Sequence, residues 1–111
     1  MGVICLWAIV SGMNEVGRRC PDARDTALQA ALADGEAALD RYVKANGRMS
    51  EADIARFKRQ QARLDRLASE ICSGDGLNMY RTLAEKGPAT VRDSVRELTA
   101  RPGKPEWGDC L

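Results

Sequence analysis

Apolar side chains recur along this chain at the three-to-four-residue spacing of helices, and no stretch sustains a period of two. From Val3 to Arg19, the residues Cys5, Leu6, Ile9, Met13, Val16 and Cys20 share one face, and Trp7 and Val10 widen it. So broad an apolar surface predicts a central helix over 3–19. Pro21 ends it, and Asp22 or Asp25 is placed to cap the next. Over 23–45, Leu28, Leu32, Gly35, Leu39 and Tyr42 recur at intervals of 4, 3, 4 and 3, flanked by Ala31, Ala38 and Val43. That is a heptad seam. Gly35 on the seam lowers helix propensity and leaves space for a neighbouring helix to come close.

Asn46-Gly47 reads as a helix stop. Ser50-Glu51-Ala52-Asp53 then opens a third helix as a variant capping box, with Asp53 where Glu is usual. Ile54, Phe57, Gln61, Leu64, Ala68 and Ile71 extend it over 50–73. Two long helices joined by so short a turn form an antiparallel hairpin. Gly74-Asp75-Gly76 reads as the end of the third helix. Two short helices follow. One covers 77–86 with Leu77, Tyr80, Leu83 and Ala84 inward; the other covers 90–101, with Thr90 and Asp93 at its start and Val91, Val95 and Leu98 inward. Arg101-Pro102-Gly103-Lys104-Pro105 cannot continue it, yet Trp107 and Cys110 give the tail apolar weight. The expected fold is all-α: one domain spanning 1–111, built of three longer helices and two short ones. Its tail, 102–111, is expected to fold back on the body through Trp107 and Cys110.

Composition sharpens this picture at one point. A chain of 111 residues makes one domain, but Leu, Ile, Val and Phe supply only 21 of them, against 16 Ala. The near-neutral charge, +1, separates the chain from disordered sequences of similar poverty. The core is thin and gains from covalent support. Four cysteines, Cys5, Cys20, Cys72 and Cys110, can supply it. None stands at C-x-x-C spacing, so neither a redox motif nor a zinc ribbon is present, and an even count in a short chain predicts two disulfides in an oxidising compartment.

Helix geometry selects the pairing. Within one helix Cys5 and Cys20 lie about 22 Å apart at 1.5 Å per residue, whereas a disulfide needs Cα atoms within about 7 Å. A second helix running down and a third running back up return Cys72 to the level of Cys20. The expected pairs are therefore Cys20–Cys72 and Cys5–Cys110. Export is inferred from these bonds, with a signal peptide removed ahead of Met1, since Val3–Val10 is too short an apolar run to be one and no basic residue precedes it. The expected location is periplasmic or secreted.

The chain contains no histidine, which removes the commonest general base and metal ligand. The near pairs Asp22/Asp25, Glu51/Asp53 and Glu106/Asp109 have structural uses as caps or tail polarity; an enzyme would need carboxylates, or Tyr42 or Tyr80, converging in a cleft. No metal or cofactor site is expected. The most organised polar feature is Arg56, Arg59, Arg63 and Arg66, spaced 3, 4 and 3 on the predicted third helix away from its apolar seam. Residues 41–66 carry eight basic and three acidic side chains. Arginine suits bidentate carboxylate contacts, so this face is the expected partner surface. Low aromatic content and neutral overall charge disfavour nucleic acid. The resulting expectation is a non-enzymatic exported bacterial protein that binds another macromolecule, such as an inhibitor, immunity or adaptor protein. The alternative is a small-ligand carrier with its pocket between the short helices and the tail.

Overall fold

The apolar stripe of the first segment winds into α1 (Val3–Arg19). In the computed structural model, which describes residues 1–110, α1 buries Val3, Leu6, Trp7, Val10, Met13 and Val16. A 3-10 turn over Pro21–Ala23 follows, and α2 (Thr26–Gly47) starts where the Asp25 carboxylate accepts the Leu28 amide at 2.9 Å. The heptad seam is the buried face of α2: Leu28, Leu32, Leu39 and Val43 have no exposed surface. Trp7 bonds to Asp40 while Asn14, two turns on, bonds to Glu36, so α1 and α2 run antiparallel. The remaining helices are α3 (Glu51–Gln60), α4 (Ala68–Ile71), α5 (Gly74–Lys86) and α6 (Pro88–Thr99). The result is an all-α bundle with no strand among the described residues. Its core lies between α1, α2 and α6, which adds Val91, Val95 and Leu98, and Tyr80 of α5 closes one side.

Gly35 sits where both α6 and α1 press on α2. A Cβ there would lie 3.2 Å from Val95 Cγ2 and 3.4 Å from Val10 Cγ1. The seam glycine therefore permits the close helix approach its position implies. Gly35→Leu is expected to cost about 1–3 kcal/mol through overpacking, seen as a lower urea midpoint with unchanged slope; a midpoint equal to wild type would contradict this packing.

Both expected disulfides are present, with Cα separations of 5.3 Å for Cys20–Cys72 and 5.5 Å for Cys5–Cys110. Backbone hydrogen bonds between the tail and the start of α1 reinforce the second staple. Gly2 N–H donates to Trp107 O and Ile4 N–H to Glu106 O, each at 2.9 Å. Two of the amides that a helix start leaves without partners are thus satisfied by the other end of the chain. Gly2 is needed for this approach, because a Cβ would run into the Glu106 carbonyl.

The third helix departs from expectation. It does not run over 50–73; α3 ends at Gln60, residues 61–67 form a turn, and α4 is a single turn. A continued helix would hold the Gln61 amide on the apolar seam, where burial without a partner is costly. Instead Gln61 is exposed and the chain reverses at Arg63, which adopts a left-handed φ of 59°. The turn still buries Ala62, whose carbonyl lies against Gly12 of α1. The remaining boundaries move less. Gly74-Asp75-Gly76 begins α5 rather than ending its predecessor, and Pro88 occupies the first turn of α6, where a missing N–H is harmless.

Candidate binding face

The α3 helix begins with the expected capping box: Ser50 Oγ accepts Asp53 N–H at 3.1 Å and Asp53 Oδ2 accepts Ser50 N–H at 3.0 Å. Those bonds, with Arg56 nearby, hold the Asp53 carboxyl below the usual aspartate range. α3 docks through Ile54 and Phe57 on one side and through Lys58 on another. Lys58 Nζ lies 2.7 Å from both Glu36 and Asp40 of α2. Only 15% of its side chain is exposed. Burial alone would push the Lys58 ammonium down; the hydrogen bonds and charges of Asp40 and Glu36 outweigh it, and its pKa stands above the ordinary lysine value.

Lys58 belongs to a longer relay. Trp7 Nε1–H donates to Asp40 Oδ1 at 2.8 Å, and Asn14 Nδ2–H to Glu36 Oε1 at 3.0 Å. Gln29 Nε2–H donates in turn to the Asn14 side chain, and Tyr80 O–H to Gln29 Oε1 at 3.1 Å. Every carboxylate oxygen of Glu36 and Asp40 therefore has a donor, as partly buried charges require. Among the described residues only the Ser11 hydroxyl is buried with no partner. This relay fixes the register of α1, α2, α3 and α5 and leaves Lys58 no free role at the surface. Here two carboxylates converge, and an ammonium lies between them.

On the outer side of α3 lies an aromatic cleft. Phe57 stacks on buried Trp7 at 3.9 Å between centroids, and Trp107 of the tail tilts onto Phe57 at 5.9 Å. Trp107 keeps 45% of its surface in solvent although its backbone is held by the Gly2 amide and the nearby disulfide. Ile4, Met49, Arg56 and Pro105 complete a cleft of about 440 Å³.

Beyond the end of α3 is a second depression, an apolar groove of about 330 Å³. Ala8, Ile9, Gly12, Met13 and Val16 of α1 form one wall; Ile71 and Met79 stand opposite, and Arg63 and Arg66 line its edge. Leu67 and Met79 are 68% and 45% exposed. Gln61 lines both depressions, so they flank one continuous strip of chain.

The four sequence-predicted arginines are thereby redistributed. Arg56 and Arg59 stand on α3, Arg56 at the aromatic cleft and paired with Asp53; Arg63 and Arg66 lie in the 61–67 turn at the groove. They do not form one helical row, because the helix that would align them ends at Gln60. A cavity of about 290 Å³ also borders the tail, between Tyr42, Leu98, Arg101 and Pro105, with polar and apolar lining in nearly equal parts. The predicted carboxylate pairs do not gather. Asp25 and Asp53 cap helices. Sequence reasoning missed the relay, whose only written signal is Gln29, Glu36 and Asp40 at helical spacing beside the seam. No family model, curated protein or solved structure matches this chain.

Proposed function

We propose that this chain is an exported, non-catalytic protein of the periplasm or the extracellular space, and that it works by binding another protein through an acidic surface of that partner. The observation that carries this reading is Trp107, half exposed yet held in place from both ends. Its backbone is tied to α1 and its ring rests on Phe57. An aromatic side chain that is already ordered loses little freedom on docking, and Trp and Arg dominate interface energetics. Arg56 lines the cleft, and Arg63 and Arg66, farther along the same strip, have no carboxylate partner among the described residues, so the strip offers charge that an acidic partner would meet. Two disulfides are compatible with an oxidising compartment, and no described helix is long and apolar enough to cross a membrane.

A photo-crosslinking residue at position 60, exposed at the aromatic cleft, compared with one at position 92 on α6, tests this directly. The expected result is a discrete adduct from position 60 only, weakened by salt and lost in Trp107→Ala. Equal adducts from both positions, or adducts indifferent to Trp107, would refute the reading. A second reading, a small-ligand carrier, is favoured by a different observation: the groove along α1 has the size of a ligand pocket and a mostly apolar lining.

A further inference from the structure

We propose that the groove between α1 and the 61–79 segment binds a free medium-chain fatty acid, with its apolar chain along α1 and its carboxylate held by Arg63 and Arg66. This rests on the carrier reading and gives it a ligand class. The α1 wall is built by Ala8, Gly12 and Val16, four residues apart and hence on one face, with Ile9 and Met13 beside them. From Ala8 to Val16 the wall runs about 12 Å along the helix axis. Met79 and Ile71 close it from the opposite side. The volume, about 330 Å³, accepts one narrow apolar chain rather than a folded partner element.

Charge decides which end group belongs at the mouth. Neither Arg63 nor Arg66 pairs with a carboxylate among the described residues. Two acids also line the groove, but both serve helix starts. Glu70 Oε2 accepts Leu67 N–H at 2.9 Å, and Asp75 lies in the first turn of α5, where the helix amides stabilise a negative charge. The guanidinium groups are exposed and free of carboxylate partners, so each can meet an incoming carboxylate with charge-assisted hydrogen bonds. The backbone of Arg66 is itself positioned, since its carbonyl accepts Arg19 Nη1–H at 2.9 Å.

The test uses the intact, oxidised chain labelled at its methionine methyl groups and titrated below micelle concentrations. Met13 and Met79 line the groove, while Met49 lines the aromatic cleft. Decanoate is expected to shift the Met13 and Met79 signals saturably and leave Met49 unmoved. Lengthening octanoate to decanoate should tighten binding about fourfold per methylene. Decanol and decyltrimethylammonium should bind at least tenfold more weakly, because neither brings a negative charge to the two guanidinium groups. Arg63→Gly is the decisive variant. Glycine takes the left-handed φ at position 63 more readily than arginine, so the fold and melting temperature are preserved or improved. Decanoate affinity should nevertheless fall about tenfold, with decanol unaffected. Decanol binding as tightly as decanoate, or Arg63→Gly leaving decanoate unchanged, would overturn the fatty-acid assignment while the carrier reading stands. No shift at Met13 or Met79 with any of the four probes, or shifts at Met49 instead, would overturn both.

Discussion

Removing the Cys20–Cys72 bond, by Cys20→Ser with Cys72→Ser, is expected to lower stability by about 4 kcal/mol and the melting temperature by about 15 °C or more. Two observations argue for so large an effect. The bond spans 52 residues, and closing a loop of that length removes much denatured-state freedom. The segment it anchors also has little else to hold it: α4 buries no residue, and of the 61–67 turn only Ala62 is buried. Helical circular dichroism at low temperature should survive, because the α1–α2–α6 core does not depend on this bond. Amide exchange should rise first and furthest over 61–73. A melting temperature within a few degrees of wild type, or unchanged protection over 61–73, would show that packing rather than the disulfide holds this segment. The groove should go with it: Arg63, Arg66 and Ile71 are placed by a stretch fastened at Cys72.

Much of the architecture was legible because the strongest apolar periodicities belong to the helices that form the core. The Leu28–Leu32–Gly35–Leu39 seam is the buried face of α2, and the α1 stripe is buried along its length. A continuous α1 excluded Cys5–Cys20; the choice of Cys72 as the partner of Cys20 rested on an unbroken third helix, and the bond forms although α3 ends at Gln60, because the chain beyond it still brings Cys72 to the end of α1. The third segment misled because its spacing persisted past the point where packing supported it. Gln61 keeps the heptad register but cannot occupy an apolar seam, and Leu67, apolar in sequence, is exposed. A pattern read along one chain cannot show that α1 and α2 already satisfy each other, leaving α3 only the flank occupied by Ile54, Phe57 and Lys58. The relay was hidden for a related reason. Glu36, Asp40 and Lys58 are the residue types expected of a solvated surface, and only the closing of α3 over α2 partly buries them.

That closure makes Lys58 the second position of large effect. Lys58→Met is expected to cost about 2–3 kcal/mol: less than breaking a fully buried pair, because Glu36 and Asp40 keep 18% and 31% of their side chains in solvent. The loss comes mainly from what remains, two carboxylates one helical turn apart with their shared cation gone. Combining Lys58→Met with Glu36→Gln and Asp40→Asn should recover most of it, since the leftover charges are removed together. The pH dependence has a definite sign. The folded-state pKa of Lys58 lies above its ordinary value of 10.5, so its contribution is complete below that pH and fades as pH rises through the folded value. Tyr80 acts in the same direction, because burial raises its hydroxyl above the ordinary 10.0. Wild type should therefore lose stability in alkali above about pH 10, and Lys58→Met should show a shallower decline over that range. Parallel alkaline declines in the two proteins, or a triple variant no more stable than Lys58→Met, would mean that the ion pairs carry none of the docking energy of α3. Ile54 and the Phe57–Trp7 stack would then hold the helix alone.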